Sequence, residues 1–215
     1  LRGEVLTVMD LRVKMGMKSM AKEIADLVQL LIDREEDHRN WIKELESSVT
    51  EKREFKLTTD PHKCAFGKWY DGFQTNNLSL SYWLTKFDEP HKKIHAVADM
   101  VKELEKNGNI DEALALIEKT RGKELSDMIN LFELTRSILK EESREIAIVL
   151  ESEETKMAIS VDSVASVEML SESDIEDISK VTFIMNNDSI SGIGRRGKSG
   201  EMALLIDVKK LLESV

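Results

Sequence analysis

Met17-Lys-Ser-Met-Ala-Lys-Glu-Ile24-Ala-Asp-Leu27-Val28-Gln-Leu-Leu31-Ile-Asp-Arg-Glu-Glu-Asp-His38-Arg-Asn-Trp41-Ile42-Lys-Glu-Leu45 is the stretch on which the fold turns. Met17, Ile24, Leu31, His38 and Leu45 recur every seven residues, with Leu27, Val28, Trp41 and Ile42 flanking them. Apolar residues at three- and four-residue intervals line one face of an α-helix. The pattern predicts a helix from about Lys18 to about Arg53. A single polar side chain, His38, interrupts the stripe.

The helical reading extends outward to residue 143. Leu57 to Asn77 is looser, with a short helix expected at its centre. Asp88-Glu89-Pro90 predicts a helix start, because proline is tolerated in a first turn and acidic side chains suit the positive end of the helix dipole. Asn107-Gly108 is a stop signal. A fourth helix is expected from about Asp111 to Glu142, turning Leu114, Ile117, Leu125, Met128, Phe132 and Leu139 inward. Four antiparallel helices are the simplest packing.

Both flanks change period. In residues 1–16, Val5, Thr7 and Met9 alternate with Leu6 and Val8, and Gly16 closes a strand and its turn. Beyond residue 143, short β-branched runs predict strands at 145–151, 156–162, 164–169, 181–185 and 201–207, then a helix at 208–213. That spacing suits a small barrel. Neither flank is rich enough to be a domain alone. The expectation is an α+β chain: a β domain of residues 1–16 and 144–215, interrupted by a helical bundle over 17–143.

Composition narrows the function classes. At 215 residues and 41% hydrophobic, the chain has material for real cores. A net charge of −10 argues against nucleic acid as a partner and against docking on anionic lipid. No apolar run approaches the roughly 20 residues that span a bilayer. The lone cysteine cannot form an internal disulfide. The chain opens on Leu1 with neither a basic segment nor an apolar signal core, which reads as cytoplasmic.

His38 on the core face needs a partner, since an unsatisfied buried polar group costs about 1–3 kcal/mol. His91 and His95, four residues apart, share a helix face with Ile94, Ala98 and Val101. Cys64 precedes Phe66, Gly67 and Trp69, and the glycine would let that backbone approach the helices closely. Taken singly, each histidine reads as a satisfied core residue and the cysteine as inert. Taken together, His38, Cys64, His91 and His95 make a closed set for one zinc ion, of the kind that holds structure rather than an open catalytic site. His62, beside Pro61, reads as part of a surface turn.

His38-x-x-Trp41, Cys64-Ala-Phe-Gly-Lys-Trp69-Tyr70 and Pro90-His91-x-x-x-His95 resemble the chemoreceptor zinc-binding domain over about residues 20–140. The resemblance implies a four-helix bundle with a three-histidine, one-cysteine zinc site. It also implies sensing of zinc or of oxidants such as hypochlorous acid, with Cys64 as the reactive group, and hints at a homodimer. A zinc-bound cysteine is deprotonated, and the thiolate is the form that oxidants attack.

Leu1-Arg2-Gly3-Glu4-Val5-Leu6-Thr7-Val8-Met9-Asp10-Leu11-Arg12 is similar to the opening signature of the CheW-like domain, with Thr7 in place of the usual proline. Ala158-Ile-Ser-Val-Asp162-Ser-Val164 resembles a later strand of that family. Ile190-Ser-Gly192-Ile-Gly194 and Ala203-Leu-Leu-Ile-Asp207 resemble its closing hairpin. This implies an SH3-like double β-barrel that couples chemoreceptors to the CheA histidine kinase, with Arg2 near those contacts. The related regulatory domain of such a kinase, and a bundle whose metal is purely structural, remain the alternatives.

Gly192-Ile-Gly194-Arg-Arg-Gly197-Lys198-Ser199 fits a phosphate-loop pattern. Such a loop needs a helix starting at the Lys-Ser, whereas Glu201-Met-Ala-Leu-Leu-Ile206 reads as a strand, so a hairpin with basic residues is expected. With no second cysteine and no serine nucleophile elbow, the chain reads as a signalling scaffold and not an enzyme.

Overall fold

The computed structural model describes residues 5–75, 77–141, 145–151, 156–177, 189–196 and 201–213. They fall into two compact units, one of Glu23–Ser143 and one of Leu1–Lys22 with Arg144–Val215. The class is α+β, with a helical unit and a unit built on sheets.

In the helical unit, α2 (Met20–Thr50) follows the heptad: Leu31, His38 and Leu45 are buried, and Trp41, Ile42, Ser48 and Val49 complete the stripe. It starts two residues later than expected, where the Ser19 hydroxyl accepts from the Lys22 amide, so Met17 lies outside the helix and half exposed. It ends in a Schellman turn: Arg53 N–H donates to the Ser48 carbonyl and Lys52 N–H to that of Val49. Lys52 takes the left-handed conformation (φ 53°) that glycine fills more easily. The Arg53 guanidinium bridges Glu44 and Glu51 there.

A strap, residues 51–64, leads into α3 (Ala65–Gly72). The sequence reading missed α4 (Leu78–Leu84), whose amides are capped by the Asn77 side chain accepting from Leu80 N–H at 2.9 Å. A 3-10 turn, Thr85–Phe87, joins it to α5 (Asp88–Lys106). The Asn-Gly stop works as expected: Gly108 has φ +79°, and its amide and that of Asn109 cap the Glu105 and Leu104 carbonyls.

The expected fourth helix is two helices, α6 (Ile110–Thr120) and α7 (Ser126–Glu141), joined by a π-helical turn at Arg121–Leu125. Phe66, Phe87, Ile94, Val97, Val101, Ile117, Met128 and Phe132 are almost wholly withdrawn from water, alongside the α2 stripe. Each such side chain contributes about 1.5–3 kcal/mol on burial. Arg136 of α7 donates to Glu35 of α2 at 2.7 Å, and Arg39 to the same carboxylate. Burial pushes the Glu35 carboxyl up, but the two guanidinium groups outweigh it and hold it below its ordinary value.

In the other unit, β1 (Val8–Asp10) runs parallel to β3 (Lys156–Val161), and β2 (Ile146–Glu151) pairs antiparallel with β3 on its far side. After β1 comes the short helix α1 (Leu11–Lys14), capped by Asp10, whose side chain accepts from Val13 N–H. Arg12 donates to Asp162 at 2.5 Å and to the Lys18 carbonyl. The Asp-Leu-Arg sequence therefore ties β1 to the chain after β3.

A second sheet joins β4 (Ile175–Asp177), β5 (Ile190–Arg196) and β6 (Glu201–Ile206), all antiparallel, and α8 (Val208–Glu213) follows. Gly194 in β5 packs closely on the Leu170 side chain: a Cβ there would lie 2.6 Å from its terminal methyl, so that leucine would have to move.

Two expectations for the strands change. The strands make two three-stranded sheets, with no closed barrel among the described residues. Residues 164–169 pair with nothing in a ladder: Val164 and Val167 are three apart, which breaks the two-residue alternation, and Val167 and Met169 face solvent. The strand expected at 181–185 lies outside the described residues. Of the phosphate-loop pattern, Gly192–Arg196 lies on β5, and Glu201–Ile206 downstream is strand β6, so among the described residues no helix starts directly after the Lys-Ser.

Candidate metal centre

Helices α2 and α5 supply three imidazoles to one place in the helical core. His38, His91 and His95 are each less than 5% exposed, and their ring centroids lie 4.9–5.7 Å apart. Cys64 closes the group from the N-cap of α3, with its Sγ 3.2 Å from His91 Nε2. One ligand atom from each of the four lies within 4.8 Å of the others. Zinc bonds of about 2.0–2.3 Å set tetrahedral ligand atoms roughly 3.3–3.7 Å apart, so the widest-spaced of these atoms would draw together by about 1 Å around a metal.

The donor set fits a cation on the evidence of its unpartnered atoms. The neutral His38 ring can donate from Nδ1 to the Arg34 carbonyl, 2.6 Å away and one helical turn back. That bond leaves the Nε2 lone pair free, and Nε2 is buried with no partner. Neither ring nitrogen of His95 has a hydrogen bond of good geometry. Native interiors rarely leave such atoms orphaned. The Nδ1–carbonyl bond is also how metal-binding histidines have their tautomer and ring orientation set.

Electrostatics keeps these rings neutral. Burial pushes His91 down to about 3, helped by the other histidines and by Lys92. Burial and His38 push His95 down to about 4, although the nearby Thr58 carbonyl favours its protonated form. His38 is lowered by burial too, against the Arg34 carbonyl. Neutral imidazole is the form that binds metal.

Cys64 differs from the other three. It is half-buried, at the solvent edge of the cluster. Burial pushes its thiol up, while the Gly67 and Phe66 amides at the start of α3 act in the opposite direction. Gly67 N–H donates to Sγ at 3.1 Å, and the thiol donates to the Pro61 carbonyl at 3.3 Å. A bound cation would remove that proton outright.

Gly67 corrects the expected reason for a glycine here. A Cβ at this position would lie 1.8 Å from the Pro61 carbonyl oxygen, so α3 closes on its own upstream strap and not on the helices. His62 stays outside the cluster, exposed and bonded through Nδ1 to Asp71 at 2.9 Å. Arg2 lies outside the described residues.

The sequence reading missed the Arg34 carbonyl and the strap carbonyl of Thr58, which accepts from Trp41 Nε1 at 2.9 Å. The position of His38 within α2 was the available signal for the first, since a helical side chain reaches back one turn. Nothing in the sequence marked the second. No helix among the described residues is long and apolar enough to cross a membrane.

Comparison with known proteins gives two family matches: residues 38–102 match the chemoreceptor zinc-binding domain and residues 123–215 the CheW-like domain. No curated protein and no solved structure matches the chain. The two matched segments follow one another, so the nested order expected from the sequence is not what the matches return. Among the described residues of the first sixteen, three residues of β1 pair in the sheet.

Proposed function

We propose that this chain, which carries a chemoreceptor zinc-binding domain followed by a CheW-like domain, is a chemotaxis signalling adaptor whose coupling is set by zinc at His38, Cys64, His91 and His95. The observation that carries the reading is the convergence of unpartnered imidazole nitrogens on the Sγ of a solvent-edge cysteine. When bound, zinc would neutralise the thiolate and tie α2, α3 and α5 together. The partners are a CheA-type histidine kinase and a chemoreceptor, in the cytoplasm.

Cys64 is the reactive group of this proposal. Its thiolate attacks the electrophilic atom of an oxidant such as hypochlorous acid; the sulfur gives up two electrons, gains the hydroxyl oxygen as sulfenic acid, and chloride leaves. Sulfenic acid is a poorer ligand than thiolate, so oxidation loosens the cluster. Cys64 is the least buried of the four beside three deeply buried histidines, and this supports a sensory use over a purely structural metal.

The pairing of β1 with β3 supports a further part of the proposal, that residues 1–16 belong with the CheW-like unit and the bundle is set between its parts. Ligand-dependent strain then has a covalent route into that unit at both ends.

The test is kinase output in a reconstituted array of receptor, kinase and this chain. Zinc-loaded, zinc-stripped and hypochlorous-acid-treated protein should give different kinase activities, and Cys64→Ser should no longer respond to oxidant. Equal output from all four contradicts the sensory reading.

A further inference from the structure

The strap between α2 and α3 covers one side of the cluster and ends in Cys64. Its last part is tightly built: Thr58 Oγ1 accepts from Asp60 N–H, Asp60 Oδ1 from His62 N–H, and the Asp60 carbonyl from Lys63 N–H at 3.0 Å. The Pro61 carbonyl is wedged against Gly67. A shift at Thr58 is therefore carried along six residues to Cys64 Sγ.

Trp41 holds the other end of this run. It lies on α2 one turn after His38, is 5% exposed, and donates from Nε1 to the Thr58 carbonyl at 2.9 Å. Its ring packs at 5.0 Å on His95 and, edge to face, at 5.0 Å on Phe55 of the strap. A buried indole N–H without an acceptor is costly, so the strap stays closed while Trp41 stays in the core.

We infer that Trp41 is a positioning residue of the metal centre: its indole N–H holds the strap that presents Cys64, and its ring fixes the imidazole of His95. The inference rests on the zinc reading above. Trp41 touches no reacting atom, and it acts by keeping two ligands from different elements at one spacing. Outer partners of this kind are worth about 10–100-fold in metal affinity.

Trp41→Phe removes the N–H and keeps an aromatic ring against His95 and Phe55. The variant should bind zinc at least about 10-fold more weakly in a chelator competition. In zinc-loaded protein its Cys64 should react faster than wild type with an aromatic disulfide probe. A residue that only fills space predicts wild-type affinity and wild-type thiol protection, and that pair of results overturns the inference.

Should Trp41→Phe fail to fold, hydrogen exchange at the wild-type Trp41 indole, followed by NMR, decides instead. The rate should fall by at least about 10-fold on loading with zinc, since the metal closes the strap over this bond. Equal rates with and without zinc overturn the inference. A wild-type chain that takes up no zinc fails at the earlier step and brings down the zinc reading itself, which separates the two failures.

Discussion

Gly67→Ala is the substitution whose consequence is most directly worked from the structure. The added Cβ would stand 1.8 Å from the Pro61 carbonyl oxygen, 2.9 Å from its carbon and 3.0 Å from His62 Cα. Carbon–oxygen contacts settle near about 3.3 Å, so α3 and the strap must part by roughly 1.5 Å. The obstacle is backbone, and no rotamer change relieves it. Cys64 sits between the two displaced segments, three residues from each. Ligand distances are held within about 0.2 Å, so a displacement of this size removes Sγ from the shell. The expected result is at least about a 100-fold loss of zinc affinity, equivalent to about 2.7 kcal/mol. Overpacking would destabilise the metal-free bundle by about 1–3 kcal/mol as well. Gly72→Ala is the control, because a Cβ there meets nothing within 4 Å. Chelator competition and thermal melts with and without zinc are the assays. Zinc affinity of Gly67→Ala within two-fold of wild type, with an unchanged melt, refutes the packing argument.

Metal-free protein should lose stability on acidification. His91 and His95 are held at about 3 and about 4, below their ordinary 6.5, so the unfolded chain binds more protons as pH falls. Stability is then full above about pH 6.5 and declines toward pH 4; a urea midpoint that stays flat between pH 7.5 and 5 contradicts this. Arg136→Met should cost about 1–3 kcal/mol, between the values for exposed and fully buried ion pairs, because the two side chains are only 16% and 13% exposed. Urea unfolding measures it, and a midpoint equal to wild type shows that Arg39 alone satisfies Glu35. Cys64→Ser should abolish oxidant-induced zinc release while leaving the helical content intact, read by a zinc-responsive dye and circular dichroism.

Much of the helical unit was legible because its apolar stripe keeps one heptad period from Ile24 to Leu45, about six turns. His38 stood out only because it breaks that stripe, and the four-residue spacing of His91 and His95 placed them on one core face. What was not legible has local physical causes. Helix α4 opens on Leu78-Ser79-Leu80-Ser81, a two-residue alternation that suits a strand and masks the helix, and the Asn77 cap was its one usable signal. The π turn at Arg121–Leu125 leaves the apolar spacing nearly unchanged, so α6 and α7 read as one helix. The sheets were harder, because strand pairing joins residues such as Val8 and Ala158 across the whole helical unit. Trp41 was visible as a core residue, but its bond to a strap carbonyl depends on a loop path that residue types do not encode.

Metal content of the purified chain tests the central claim most directly. The account predicts one zinc per chain, released stoichiometrically by chelator, and loss of zinc in each of His38→Ala, Cys64→Ala, His91→Ala and His95→Ala. A wild-type chain that holds no zinc under zinc-replete conditions, or alanine variants that retain it in full, would contradict the account.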